Sequence, residues 1–294
     1  MYLEIADIPF DLYVPVEVEA AVQHLFSKFI SCPDQRQKAS FSVFVNEQCA
    51  LPDSASLVFA GKEPVLERNG RIDEQCAYRF SVATSEQKCI VVLSLWTPGA
   101  VALIFSTFKW FFTFMVLLRG GLPLHSSSII HQGKGFLFSG DSGKGKSTIS
   151  SLLTTKISGT RSGSDELNVL YSKNNKLVLH STPYHSSNGP GELHHHEHAE
   201  VALVFFLEHA ALNRVELLKR TQVFRFLLRN SYHLPADALL TNRLLDTVEE
   251  FSDFSCFRLL HFINNESVVT CFKDQTDGTH ATEDCGTFID TTDR

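Results

Sequence analysis

The stretch FLFSGDSGKGKSTIS, residues 136–150, constrains the fold more than any other part of this chain. An apolar run ends where the glycines begin, and apolar residues at helical spacing follow. Gly140, Gly145, Lys146 and Ser147 complete the pattern G-x-x-x-x-G-K-[ST], which requires a strand, a tight loop and a helix in succession. The sequence therefore predicts an α/β fold built around this unit.

Residues 140–148 have the chemistry of a phosphate-binding loop. Glycines let successive backbone N–H groups point inward at an anion, and the start of a helix favours negative charge. Lys146 is predicted to contact the β- and γ-phosphates of ATP, and the Ser147 hydroxyl to bind Mg²⁺. The predicted nucleotide-binding residues are Gly140, Asp141, Ser142, Gly143, Lys144, Gly145, Lys146, Ser147 and Thr148.

Two adjacent acids, Asp165 and Glu166, follow the predicted helix. Adjacent carboxylates can divide the two tasks of a kinase, because one can hold the metal while the other accepts the proton of an attacking hydroxyl. A solvated acidic turn is the alternative interpretation. Glu208, at the end of the buried strand predicted over 201–207, competes for the metal-binding role.

His125 begins the predicted strand pair that leads into the loop. A hairpin turning near Gly133 would pair Ile130 with about Phe136, and the same register would bring His125 opposite Asp141. We therefore expect His125 to contact the γ-phosphate or the acceptor; the alternative is a histidine packed at the start of a strand. No spacing selects the cation that would stabilise the transferring group, and the candidates are Arg161, Arg214, Lys219, Arg220, Arg225 and Arg229.

The Arg-Gly-Gly break at residues 119–121 is the predicted domain boundary. Residues 1–118 are expected to form an α+β domain that could recognise a substrate or partner. Residues 119–272 are expected to form the domain with the loop, and residues 273–294 a polar, flexible tail. Further elements predicted from periodicity are helices over 17–30, 221–229 and 235–251, strands over 40–45, 78–83 and 89–96, and a hairpin turning at 173–176.

An apolar segment, residues 101–118, approaches the length that a bilayer requires. Lys109 lies at its centre, where a charge is costly in a membrane, and the flanking glycines equally suit the ends of a buried helix. The segment is therefore predicted to be a core helix and not a membrane span.

Composition narrows the function classes. The formal net charge of −7 leaves no broad basic face, which argues against sequence-independent nucleic-acid binding. Seven scattered cysteines without a C-x-x-C pair, and an N-terminus without a basic signal-peptide region, favour a reducing cytoplasm.

A GTPase is disfavoured because residues 175–178, the nearest match to N-K-x-D, lack the aspartate. The histidines of HHHEH, residues 194–198, have no further acid or cysteine at metal-site spacing and are expected to form a loop.

Together, residues 124–153 and SDELNVLY, residues 164–171, resemble the catalytic domain of HPr kinase/phosphorylase, a family similar in fold to the ATP-dependent phosphoenolpyruvate carboxykinases. STPYH, residues 181–185, is similar to that family's T-P-[FY] element, and the resemblance spans about 122–272. It implies an α/β P-loop kinase core in which Asp165 is the acid/base, Glu166 helps to hold Mg²⁺ and His125 lies near the transferring phosphoryl group.

The sequence departs from that family in two ways. The second acid is Glu where the family usually has Asp, and a glycine-containing signature downstream of the acid pair is not found. The chain is in this respect similar to divergent relatives such as the lasso-peptide precursor kinases. We therefore expect transfer of the γ-phosphoryl group to a hydroxyl, a serine of a peptide or small protein. The alternatives are a small-molecule kinase, for example of free serine, and a nucleotide-binding switch or ATPase without an acceptor; a homo-oligomer is left open.

Overall fold

A computed structural model describes residues 1–32, 36–45, 57–61, 78–83, 87–93, 99–185, 197–232, 238–263 and 265–277. Contacts between residues divide the chain into two compact units. The first comprises Met1–Arg119 with Leu234–Thr241, and the second comprises Gly120–His233 with Asn242–Arg294. Both units contain a β-sheet with helices, so the fold is of the mixed α/β kind.

In the first unit, the described strands form one mixed sheet in the order β1-β2-β3-β6-β5-β4. The pairs β2–β3 and β3–β6 are parallel, and the remaining pairs are antiparallel. The elements are β1 Tyr2–Ile5, β2 Ile8–Tyr13, α1 Val16–Leu25, a 3-10 turn Ser27–Phe29, β3 Ala39–Val45, β4 Leu57–Gly61, β5 Tyr78–Ala83, β6 Lys88–Leu93 and α2 Ala100–Leu118. The helix predicted over 17–30 is thus a shorter helix followed by a 3-10 turn, and β1, β2 and β4 were not predicted.

Helix α2 is the apolar segment predicted to be a core helix. The Phe108 ring lies 5.1 Å from each of the rings of Phe10, Phe26 and Phe41, all in edge-to-face geometry. By length and composition alone the helix could cross a membrane, but 61% of its most apolar window is buried inside the structure. These ring contacts are those of a helix packed into a protein core.

In the second unit, the described strands form a sheet in the order β11-β10-β7-β8-β12-β14-β13, with β9 beside β7. β11 also pairs with β12, so that β7, β8, β12, β11 and β10 close into a ring. The elements are β7 Leu122–His131, β8 Lys134–Ser139, α3 Lys146–Lys156, β9 Arg161–Ser162, β10 Leu167–Lys173, β11 Lys176–His180, β12 His198–His209, β13 Arg214–Leu217, α4 Arg220–Asn230, β14 Phe257–Phe262 and α6 Ser267–Asp277. Helix α5, Ala238–Phe251, has its first four residues in the first unit and the remainder in the second.

Both predicted hairpins of this unit are present, with two-residue turns. Gln132 and Gly133 join β7 to β8, and Asn174 and Asn175 join β10 to β11; all four have positive φ, as in the turns that match the twist of paired strands. The predicted register of the first hairpin was wrong by one residue. The turn is centred between Gln132 and Gly133, so that Phe136 pairs with Ile129.

Helix α3 packs on the sheet through its apolar face. Ile149 and Leu153 join Phe136, Phe138 and other residues of β8, β12, β14 and α6 in one buried cluster. In α6, Phe272 packs edge-to-face on Phe136 at 5.0 Å. Because α6 continues to Asp277, it extends five residues into the stretch predicted to be a tail; residues 278–294 lie outside the described part of the chain.

Candidate functional site

The glycine-rich loop connects the end of β8 at Ser139 to the start of α3 at Lys146. Gly145 caps the helix in the left-handed region, with φ +85°. A Cβ on Gly145 would lie 3.0 Å from the buried Phe262 ring, and Gly143 also has a left-handed φ of +81°. Glycine is therefore required at Gly145 both by the backbone conformation and by the space available.

Lys146 folds back over the loop from the first turn of α3. Its Nζ donates to the carbonyls of Gly140 at 2.8 Å and Asp141 at 3.2 Å, and the side chain is buried. The Ser127 hydroxyl on β7 donates to the Lys146 carbonyl at 2.7 Å. The ammonium group is thus held against the loop, where an ion bound by the loop's N–H groups would meet it.

Two further side chains contact the loop. Arg229 near the end of α4 forms an ion pair with Asp141 at 2.5 Å, and His209 Nε2 at the end of β12 lies 3.4 Å from the Gly143 carbonyl. Arg229 was one of six cations that the sequence could not rank, and His209 was not predicted. Only the tertiary fold identifies them, because Arg229 lies 88 residues from Asp141.

His125 and Glu166 lie side by side on the neighbouring strands β7 and β10, where His125 pairs with Leu167. His125 Nδ1 is 3.0 Å from the Glu166 carbonyl and 3.9 Å from its carboxylate. Because a carbonyl can only accept, the neutral His125 ring carries its proton on Nδ1, which leaves Nε2 as an acceptor. The Tyr232 hydroxyl donates to the Glu166 carboxylate and lies 3.2 Å from His125 Nδ1.

The corrected hairpin register alters the position expected for His125. Ser126 pairs with Ser139, so His125 lies one step beyond this pair, next to Gly140 instead of Asp141. The Ser139 hydroxyl donates to the His125 carbonyl at 2.9 Å, which ties the end of β8 to His125. His125 therefore lies next to the first residue of the loop.

Asp165 and Glu166 face different partners. Asp165 Oδ1 lies 3.7 Å from His185 Nδ1, and both side chains are nearly buried, whereas Glu166 faces His125 and Tyr232. Both residues lie in a bend that directly precedes β10. The two carboxylates consequently have distinct surroundings, as a division of tasks between them would require.

A buried polar network fixes the segment that leads to the acids. Asn168, fully buried, donates to the Ser126 carbonyl at 2.7 Å and the Ser164 carbonyl at 3.2 Å, and accepts from the Ser128 hydroxyl at 2.7 Å. Gly163 packs so closely on β7 that an added Cβ would lie 2.2 Å from Ser128 Oγ. These contacts fix the position of the segment that carries Asp165 and Glu166 relative to β7.

The STPYH element, residues 181–185, supports the same segment from the other side. The Thr182 hydroxyl donates to the Leu167 carbonyl, and the Ser164 hydroxyl donates to the Tyr184 carbonyl. Burial raises the pKa of the Tyr184 phenol, so this side chain remains neutral at physiological pH. The element also carries His185 to Asp165.

The predicted metal ligands are oxygen donors of the type that Mg²⁺ prefers. Glu166 and Ser147 supply a carboxylate and a hydroxyl, and Mg²⁺ commonly binds through one or two carboxylates and the substrate's phosphates. The competing acid, Glu208, has its carboxylate 3.6 Å from His261. Within the described residues, three or more His, Cys, Asp or Glu side chains do not gather in a group that could hold a metal.

Of the histidine-rich segment, residues 194–196 lie outside the described part of the chain. His198 begins β12 and pairs with His180 of β11, and the two rings stack with centroids 5.6 Å apart. His198 is therefore part of a β-strand, and its stacking partner is a histidine of the neighbouring strand.

No family model matches the chain, and no curated protein matches it. Among solved structures, the HPr(Ser) kinase/phosphatase from Coxiella burnetii is similar, with 16% identity and a TM-score of 0.30. The match covers 54% of this chain and 95% of that chain. A likeness of this size decides neither the activity nor the ligand of this chain.

We expect Asn168→Ala to lower the free energy of unfolding by about 2–4 kcal/mol, because it leaves several buried groups without their partner. Chemical denaturation would measure the loss. Asn230→Ala is the matched control, because Asn230 is also buried but donates one bond, to the Phe226 carbonyl; its cost should be about 1 kcal/mol. Equal losses for the two variants would contradict the importance of the network.

Proposed function

We propose that the second unit is an ATP-dependent kinase that transfers the γ-phosphoryl group to a hydroxyl, a serine of a peptide or small protein. One observation carries the proposal: strand β7 pairs with β8 on one side and with β10 on the other. A G-x-x-x-x-G-K-S loop follows β8, and an adjacent pair of acids precedes β10. The glycine-rich loop and the Glu166 carboxylate therefore flank His125, and the Asp165 carboxylate lies beside His185. A phosphate-binding loop with two acids nearby is the combination that phosphoryl transfer to a hydroxyl requires.

In this proposal the loop binds the triphosphate. Backbone N–H groups at the start of α3 and the Lys146 ammonium contact the β- and γ-phosphates. Ser147 and Glu166 would hold Mg²⁺, which neutralises phosphate charge when bound. The hydrogen bond from Tyr232 fixes one Glu166 carboxylate oxygen, and the other lies 3.9 Å from His125 Nδ1.

Asp165 is the proposed base for the acceptor hydroxyl. The hydroxyl oxygen forms a bond to the γ-phosphorus, the bond from this phosphorus to the bridging oxygen of the β-phosphate breaks, and ADP departs with the electron pair. The hydroxyl proton passes to the Asp165 carboxylate. His185 Nδ1 lies 3.7 Å from that carboxylate. His125 would contact the transferring group from the start of the loop.

A peptide or small protein is the acceptor that we favour. Transfer itself needs only a hydroxyl held in line with the γ-phosphate, so the acceptor's identity depends on recognition elsewhere. The first unit is a separate compact body with its own core and could supply that recognition. Its sheet and helices contain none of the loop or acid residues.

Lys146→Ala should weaken the binding of Mg·ATP by about tenfold or more, because it removes the main point charge on the phosphates. Isothermal titration calorimetry would measure the dissociation constant. Lys156→Ala, at the opposite end of α3, is the control and should bind as the unchanged protein does. Undiminished affinity in Lys146→Ala would remove the phosphate-loop assignment.

Asp165→Asn should still bind Mg·ATP, whereas phosphoryl transfer should fall by about 10²-fold or more, because the amide cannot accept the proton. Glu166→Gln is the matched comparison, since it should instead raise the Mg²⁺ concentration needed for half-maximal rate. Transfer rates at several Mg²⁺ concentrations would separate the two roles. If Asp165→Asn transfers at the normal rate, Asp165 is not the base.

Incubation with Mg·ATP and serine-containing peptides should give a mass increase of one phosphoryl group on a serine. Mass spectrometry with fragmentation would locate the modified residue, and the Asp165→Asn protein would serve as the control. Phosphorylation of free serine with every peptide unmodified would favour a small-molecule kinase. Release of free phosphate without any modified acceptor would instead favour a nucleotide-binding switch.

A further inference from the structure

Asp141 in the loop lies between two cations. Its backbone carbonyl accepts from Lys146 Nζ at 3.2 Å, and its carboxylate pairs with Arg229 at 2.5 Å. The Lys146 side chain is buried, whereas the Arg229 side chain is 65% exposed. The buried Lys146 ammonium and the exposed Arg229 guanidinium therefore both contact the same loop residue.

The end of α4 is fixed firmly enough to hold Arg229 there. Val223 and Leu227 bury one face of the helix. Ser231 forms a β-bridge with Leu124, and the Tyr232 N–H donates to the Pro123 carbonyl at 2.8 Å. The residues that follow Arg229 are thus tied to the first residues of β7, the strand that carries His125.

In the part of the chain that the structure describes, the other candidate cations pair elsewhere or form no ion pair with the loop. Arg161 pairs with Glu197, Arg214 with Glu216, and Arg220 with Asp253 and Glu249, all of which lie outside the loop. Lys219 begins α4 at the opposite end from Arg229. Among the six cations, Arg229 is distinguished by an ion pair to a residue of the loop itself.

We propose that Arg229 contacts the terminal phosphate of the nucleoside triphosphate that the loop binds, and that it distinguishes a triphosphate from a diphosphate. This inference rests on the proposed function. An exposed ion pair with one carboxylate is worth only about 0–1 kcal/mol, so Asp141 gives up the guanidinium at little cost. A phosphate offers more charge and oxygens that the planar guanidinium can engage in two parallel hydrogen bonds.

The contact would also assist transfer. Charge is spread over the three equatorial oxygens of the transferring phosphoryl group, and a guanidinium beside them stabilises that charge. Asp141 then has the role of holding Arg229 at the edge of the loop before the nucleotide arrives.

The test is to compare the binding of Mg·ATP and Mg·ADP by calorimetry. Arg229→Ala should weaken ATP binding by about tenfold or more, the value of a hydrogen bond to a charged group, and ADP binding by less than about threefold. Arg229→Lys should recover part of the loss. Arg225→Ala, one turn earlier on the same exposed side of α4, is the control and should leave both affinities unchanged. Thermal unfolding would establish that each variant is folded.

A second pair of variants separates direct contact from neutralisation of Asp141. If Arg229 acts on the phosphate, the loss of ATP affinity caused by Arg229→Ala should persist in an Asp141→Asn background. If Arg229 only cancels the negative charge of Asp141, the loss should vanish in that background, and the inference is wrong.

The failure of this inference can be told apart from the failure of the proposed function. If the unchanged protein binds neither nucleotide, or binds them independently of Lys146, both fail. If ATP binding depends on Lys146 but Arg229→Ala leaves the ratio of ATP to ADP affinity unaltered, the role of Arg229 alone is disproved.

Discussion

Strand β7 is hydrogen-bonded along both edges, and the loop, the acid pair and the end of α4 are all attached to it. On one side, pairing with β8 fixes the start of the loop; on the other, pairing with β10 fixes the acids. The Ser127 hydroxyl holds the first turn of α3, and the backbone at Pro123 and Leu124 holds the end of α4. The site is thus assembled from segments that are distant in the sequence but are each hydrogen-bonded to the same strand.

The three consecutive serines of β7 make this assembly possible. Ser126, Ser127 and Ser128 are all buried, where larger apolar residues would be usual for a central strand. Their small size lets Gly163 approach closely, and their hydroxyls satisfy Asn168 and the start of α3. Burying a polar group costs free energy mainly when the group lacks a hydrogen-bond partner. These serines bury less apolar surface than larger residues would, but their hydrogen bonds fix the position of the acids.

Features of the fold that depend on residues close together in the sequence could be predicted from it. The strand–loop–helix order around the glycines, both hairpins and the α/β class follow from short motifs and periodicity, and the structure contains them. The hairpin register was wrong by one residue, because a turn centred on Gly133 and one centred between Gln132 and Gly133 have nearly the same sequence signal. Arg229 was not ranked above the other candidate cations and Tyr232 was not predicted, since their partners lie 88 and 66 residues away and no local pattern links them.

Arg229 and Tyr232 lie three positions apart at and just beyond the end of α4, yet they contact different parts of the site. One pairs with the loop through Asp141, and the other bonds to Glu166 beside His125. A displacement of this helix end would therefore change both contacts together, and under the proposed function it would couple binding at the loop to binding at the acid pair. Such coupling is reciprocal: an ion that binds at the acids alters the affinity of the loop by the same factor as occupancy of the loop alters the affinity for that ion.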